Sequence, residues 1–256
     1  GGVKCWGAND FGKLGNGSRM SIPYPVSAPV SGISQIAAGS YHSCGLKTNG
    51  TVQCWGDNRY GQLGNGTMSS YLISSESVGD GTPYEVTGLT GVSQIAAGDL
   101  FNCAIISSAV KCWGYGVNGQ LGNGASVNSS TPVSVSGISN ATQLSAGYAH
   151  ACARLSDSTI KCWGGNQYGS IGNGTAPTDS NVPVTVTGIA NAVSVTAGAY
   201  HACALLSDQT IKCWGLNTNA QMGDPAYDPG TTTYVGSPVV AGTSMTGVTS
   251  IVAGRS

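Results

Sequence analysis

Cysteine and histidine are the residues of this chain best equipped for chemistry, and their spacing restricts what that chemistry is. Nine cysteines and three histidines occur in 256 residues. Eight of the cysteines fall into close pairs: Cys44 with Cys54, Cys103 with Cys112, Cys152 with Cys162, and Cys203 with Cys213. If the first pair flanks a hairpin with Thr48-Asn49-Gly50 as its three-residue loop, Gly50 taking the left-handed position, three residue pairs separate loop from cysteines. A two-residue loop at Ser107-Ser108 does the same for the second pair, which is one residue shorter. In both hairpins the cysteines face each other at a non-hydrogen-bonded position, where Cα atoms approach to about 4.5 Å and a disulfide closes without moving the backbone. Reduced structural thiols and a metal site are the competing readings. Zinc sites favour closely spaced ligand pairs such as C-x2-C, which this sequence lacks, and His42, His150 and His201 fall in different segments. Disulfides persist in oxidising compartments, so the expected location is extracytoplasmic: secreted, periplasmic or on a cell surface.

Other reactive groupings are sparse. No Ser/His/Asp grouping, phosphate loop or matched carboxylate pair stands apart, so the expectation is no enzyme, no cofactor and no metal, with a hydrolase as an alternative only. Asp224 and Asp228 could suggest calcium, but the ligand-rich spacing of a dedicated site is missing. Ten basic and eleven acidic residues give a net charge of −1, which argues against nucleic acid as a partner. No apolar run is long enough to span a bilayer as a helix, so membrane insertion is not expected. Six Asn-x-Ser/Thr sequons, at Asn16, Asn49, Asn65, Asn128, Asn140 and Asn173, lie mostly in Asn-Gly turns that backbone geometry alone explains.

The elements that must position these residues repeat with a period of about fifty. Trp6, Trp55, Trp113, Trp163 and Trp214 each sit in a Cys-Trp-Gly triplet. About eight residues later comes Leu-Gly-Asn-Gly or a relative, at Leu14, Leu63, Leu121, Ile171 and the divergent Met222. A second landmark, Ala-Gly, recurs at Gly39, Gly98, Gly147, Gly198 and Gly254, and His-x-Cys follows three of these, Phe101 replacing the histidine in one repeat. A histidine repeated at a fixed place reads either as a hydrogen-bonding strut or as part of a lined face. Forty glycines, ten prolines and short alternating stretches such as Thr51 to Trp55 and Val182 to Val186 predict many short strands, about four per period. A unit that small cannot bury both its faces alone, so neighbours must stack, and radial stacking gives an all-β propeller of four-stranded blades in a single domain. The repeats run approximately over 1–32, 33–88, 89–137, 138–188 and 189–247, with 248–256 joining the first if the ring closes.

The series from Ala37 to Cys44, followed by Thr51-Val52-Gln53-Cys54-Trp55-Gly56 and continuing to Thr67, closely resembles the repeat of the regulator-of-chromosome-condensation family. That resemblance runs through essentially the whole chain. It implies four-stranded blades, typically seven to a ring, with the last blade completed from both chain ends. Cys5 has no partner nine or ten positions before it, and the sequence stops at Ser256 just after Ala253-Gly254. The expectation is therefore a longer chain, with a cysteine shortly before Gly1, a His-x-Cys-like continuation after Ser256, and further blades. The cysteine-bearing variant resembles repeats of secreted or surface-exposed bacterial proteins, so a bacterial source is expected. Each tryptophan belongs to its own repeat motif, which assigns it to packing rather than to light sensing of the kind known in one branch of the family.

Function should lie where the repeats differ, because insertions in an array map to loops and loops carry binding. Between Gly66 and Gly88 roughly eight extra residues bring Tyr71, Glu76, Asp80 and Tyr84, and a comparable excess between Met222 and Gly247 brings Tyr227, Asp228 and Tyr234. Tyrosines on Ser/Gly/Thr-rich loops offer contact area with polar tips; a solvated linker is the competing reading. These residues are the expected binding site of a non-enzymatic extracellular or surface propeller recognising a protein or glycan, with assembly among surface proteins as a related role. Enzyme inhibition, as in secreted bacterial members of the resembled family, and nucleotide exchange on a small GTPase are the alternatives.

Overall fold

Within the residues described by the computed structural model, 1–69, 79, 81–242, 245 and 247–254, the alternating stretches are strands, and one 3-10 turn occurs at Asp10–Gly12. The expected binding residues Tyr71, Glu76 and Asp80 lie outside the described residues. Strands β1 (Val3–Gly7) and β2 (Ile22–Ala28) form a two-stranded sheet, so the first repeat supplies half of the expected four strands. A four-stranded sheet follows from β3 (Ile33–Ala38), β4 (His42–Lys47), β5 (Val52–Gly56) and β6 (Tyr84–Glu85). The next is built from β7 (Val92–Ala97), β8 (Phe101–Ile106), β9 (Ala109–Gly114) and β10 (Ser129–Ser134). Then come β11 (Ala141–Ala146), β12 (His150–Leu155), β13 (Ile160–Gly164) and β14 (Ser180–Thr185). The last holds β15 (Ala192–Ala197), β16 (His201–Leu206), β17 (Ile211–Leu216) and β18 (Tyr234–Val240). All pairings are antiparallel between sequence neighbours. The chain divides into two compact units, residues 1–117 with 127–134 and residues 118–126 with 135–256.

Hairpin register places the cysteines face to face. The Lys47 N–H donates to Thr51 O and closes a loop whose Gly50 has φ +80°, while Ser107 and Ser108 take φ +48° and +66° in a two-residue type I′ turn. Ser158 and Gln209 occupy the left-handed position in the other two hairpins. Four disulfides result, Cys44–Cys54, Cys103–Cys112, Cys152–Cys162 and Cys203–Cys213, with Cα atoms 4.0–4.1 Å apart. Cys5 is a free, half-buried thiol, and burial pushes its pKa up.

Within each unit, neighbouring sheets are tied by both apolar and polar contacts. Trp55, Trp113, Trp163 and Trp214 are fully buried, whereas Trp6, in the two-stranded sheet, is 61% exposed and so departs from the packing role expected of every tryptophan. Each buried indole donates from Nε1 to a carbonyl in the preceding repeat: Trp55 to Lys13, Trp113 to Gln62, Trp163 to Gln120 and Trp214 to Ser170, all at 2.9–3.0 Å. The Leu-Gly-Asn-Gly motif exists to cover that ring. Gly122, at φ +64°, lies so close that a Cβ there would sit 2.8 Å from the Trp163 indole. Buried Asn58, Asn166 and Asn217 brace the same turns, accepting at Oδ1 from the N–H of Leu63, Ile171 and Met222. Strand-to-strand links between sheets are side-chain amides: Gln35 donates to Ile95 O at 2.9 Å and accepts from Ile95 N at 3.0 Å, and Gln143 accepts from Val195 N at 2.9 Å. A buried amide so placed satisfies backbone groups that a neighbouring strand would otherwise pair.

Candidate functional site

The β-hairpin loops mark one end of each sheet, and the turns before β4, β8, β12 and β16 mark the other. At this second end each unit gathers aromatic side chains. In the first unit Phe11 and Tyr41 meet edge to face at 5.3 Å, and Tyr60 meets Tyr115 at 5.0 Å. The Arg59 guanidinium lies 4.5 Å from the Phe11 ring centre and 5.9 Å from those of Tyr41 and Tyr60, and Lys13 Nζ lies 5.5 Å from that of Tyr41. Arg59 is aimed from below by the fully buried Asp57, whose carboxylate accepts two-pronged from Nε and Nη2 at 2.9 Å and also from Gln62 Nε2. A paired, hydrogen-bonded carboxylate of this kind holds the cation in one geometry. Phe11 adopts φ +63°, a strained conformation for an aromatic residue, which turns its ring into this cluster.

The second unit carries an uncharged counterpart. Tyr148 and Tyr200 lie 5.0 Å apart, tilted by 35°, and Tyr168 meets Tyr200 edge to face at 5.4 Å. Tyr148 and Tyr41 are each 37% exposed, so both clusters present rings to solvent. Tyrosine on a braced turn supplies rigid amphipathic contact area at small entropic cost.

The expected loop residues are placed more variously. Tyr84 opens β6 opposite Cys54 and is 37% exposed, and Tyr234 opens β18 opposite Leu216 and is 42% exposed. Tyr227 is half-buried, packed on the cluster of Cys213, Met222 and Ala241, and its carbonyl accepts from Asn217 Nδ2. Asp228 is exposed but folds its own loop: Oδ1 accepts from Gly230 N, and its carbonyl accepts from Thr231 N and Thr232 N. Phe11, Tyr41, Arg59, Tyr60, Tyr115, Tyr148, Tyr168 and Tyr200 lie outside the two inserted segments and are not among the binding residues expected from the sequence. Their signal was present: Tyr41 and Tyr200 each precede the repeat histidine, and Tyr60 and Tyr168 each precede the glycine that follows Cys-Trp-Gly by five residues.

Beneath these turns lie the histidines. His42 is buried and bonds through Nε2 to Asn102 Oδ1 at 2.9 Å; because Asn102 Nδ2 donates to Gln62 O, Oδ1 must accept and Nε2 carries the proton. His42 is thus a strut between neighbouring sheets. The residue of β16 equivalent to Asn102 is Ala202, and His150 Nε2 has no hydrogen-bond partner. Burial, with His201 nearby, lowers the His150 pKa to about 4. Burial also lowers the pKa values of His42 and His201. Among the described residues no group of three His, Cys, Asp or Glu side chains is arranged to hold a metal ion. Nor is any helix there long and apolar enough to cross a membrane.

A model of the regulator of chromosome condensation (RCC1) repeat matches residues 1–46, 49–105, 110–154 and 162–205, and a second model of that repeat matches 33–62, 141–170 and 192–221. The fold is similar to that of yeast RCC1 (Prp20) in its complex with Kap60, at 24% identity, TM-score 0.82, and coverage of 98% of this chain and 60% of that one. Prp20p from Saccharomyces cerevisiae, in a study of its binding to Gsp1p and histones, gives 23% identity, TM-score 0.80 and coverage of 98% and 61%. Human WBSCR16 gives 22% identity, TM-score 0.77 and coverage of 93% and 60%. The chain spans about 60% of the length of these proteins. With four separate matched stretches covering most of its residues, an all-β fold and sheets similar to these propellers, the chain belongs to the regulator of chromosome condensation (RCC1) repeat family.

Proposed function

We propose that this chain is a non-enzymatic binding propeller working outside the cytoplasm, and that it holds a protein or glycan at the strand end where the tyrosines gather. The observation that carries the reading is the pair of tyrosine clusters, one in each unit, on turns braced by buried hydrogen bonds rather than on free loops. Tyr84, Tyr227, Asp228 and Tyr234, with Tyr71, Glu76 and Asp80 of the inserted segment, extend the same proposal to the two long connections. Propellers similar to this one are recorded with protein partners, Kap60 in one case and Gsp1p and histones in another, which supports binding as the general role. Four disulfides fit an oxidising compartment and hence a partner met there.

Capture of partners by the immobilised protein tests this, using extracellular material as their source and comparing Tyr41→Ala with Tyr148→Ala and with shortening of each long connection. Specific capture that falls at least about tenfold in one of these variants is expected. Capture that no variant alters places binding elsewhere and overturns the assignment of this end.

A further inference from the structure

Around Tyr148 the tyrosine end of the second unit carries little charge, and that narrows what it can bind there. In residues 118–126 and 135–205 the charged side chains are Arg154, Asp157, Lys161 and Asp179. Three of these belong to the hairpin end, where Arg154 sits opposite Ile160, Lys161 lies beside it, and Asp157 is in the loop. Asp179 reaches the tyrosine end beside Tyr148, while Asp224 and Asp228 lie on the separate connection after β17; both Asp179 oxygens are engaged, Oδ1 accepting from Asn166 N at 2.7 Å and Oδ2 from Asn118 Nδ2 at 3.3 Å. In the first unit, by contrast, Arg59 and Lys13 stand over the rings.

Side-chain bulk is also missing at one place beside Tyr148. The turn position that holds Tyr41, Leu100 and Tyr200 in other repeats holds Ala149, and the position after Cys-Trp-Gly that holds Asp57, Tyr115 and Leu216 holds Gly165. These two small residues touch: Gly165 N donates to Ala149 O at 2.7 Å, and a Cβ on Gly165 would lie 3.2 Å from that of Ala149. The result is a low floor of small residues, bordered by the Asn118 side chain, next to a half-exposed ring that Tyr200 supports, with the exposed amide of Gln167 on the same connection.

Resting on the binding reading above, we propose that this floor is a site for a neutral saccharide, one sugar ring stacking on Tyr148 above Ala149 and Gly165. The C–H face of a pyranose suits a tyrosine ring, and its hydroxyls suit an amide and exposed backbone groups rather than fixed charges. A protein partner typically needs roughly 800 Å² on each side, far more than three rings and a two-residue floor provide, whereas one or two sugar rings need no more. An anionic polysaccharide would meet no cation here.

The test uses the full chain, disulfides intact, titrated by calorimetry and by protein-observed NMR with neutral oligosaccharides (gluco-, manno-, xylo- and chito-series) and with heparin as the anionic comparison. Binding of at least one neutral series with a Kd below about 1 mM is expected, with loss of at least about tenfold in both Tyr148→Ala and Gly165→Leu, the second filling the floor without removing a ring. An unchanged far-ultraviolet circular dichroism spectrum and a cooperative melt show that each variant is folded. Overturning results are no neutral saccharide bound at that level, binding of heparin alone, or neutral binding indifferent to both substitutions. If saccharides fail while captured protein is lost on Tyr148→Ala, the saccharide proposal falls and the binding role of this end stands.

Discussion

Replacing His150 by phenylalanine should leave the protein as stable at neutral pH and make it more stable in acid. The imidazole is 1% exposed, its Nε2 has no partner, and burial with His201 nearby lowers its pKa from 6.5 to about 4. Between those two values the unfolded chain binds a proton that the folded chain refuses, so stability is full above about pH 6.5 and is lost as pH falls towards about 4. At pH 4.5 two pKa units separate the solution from the unfolded value, and the folded group is partly protonated, which leaves a deficit of about 2–3 kcal/mol. Phenylalanine cannot titrate, and Phe101 already fills the equivalent place in β8 fully buried, so the shape is one this repeat accepts. The Nε2 that goes is already unsatisfied, and the hydrogen bond with the His201 backbone that goes with it costs about 1 kcal/mol. Urea unfolding followed by tryptophan fluorescence, disulfides intact, should give equal stabilities within about 1 kcal/mol at pH 7.5 and a variant about 2–3 kcal/mol more stable at pH 4.5. His42 and His201 keep a residual acid sensitivity in both proteins, since burial lowers their pKa values too. A variant destabilised by more than about 2 kcal/mol at pH 7.5, or one with an unaltered acid deficit, refutes the account of His150 as a buried base with an unsatisfied Nε2.

Two further outcomes follow from packing and cross-linking. Each disulfide closes a segment of nine or ten residues, and loop entropy alone assigns about 2.7 kcal/mol to Cys152–Cys162. Non-reducing mass spectrometry should find the four links within repeats, and the paired Cys152→Ala, Cys162→Ala variant should unfold at lower urea; free thiols at most of these eight positions contradict the disulfide pairing and the extracytoplasmic assignment. Gly122→Ala forces a Cβ to within 2.8 Å of the Trp163 ring at φ +64°, so a loss of about 2–4 kcal/mol is expected from calorimetric melting, and a neutral result means that the turn does not sit on the indole.

Sequence alone determined the blade. Fifty-residue periodicity, alternating Val, Ile and Thr, and the Cys-Trp-Gly and Leu-Gly-Asn-Gly landmarks are local signals, and a hairpin's register follows from its turn, so Cys44 opposite Cys54 and Cys103 opposite Cys112 could be counted out residue by residue. Contacts between repeats were not legible in that way. That Trp163 donates to Gln120, that Gln143 stands in for a strand beside Val195, and that His42 Nε2 finds Asn102 while His150 Nε2 finds no partner all depend on which residues of one sheet face the next. The candidate site shows the same division. Composition and inserted length pointed to Tyr84, Tyr227, Asp228 and Tyr234, but not to the packing of Tyr227 on Cys213, Met222 and Ala241 or to the loop hydrogen bonds of Asp228. Tyr148, Tyr168 and Tyr200 come from three different turns and form a cluster only because sheet stacking brings those turns together, a tertiary relation between residues up to 52 positions apart that no local pattern encodes.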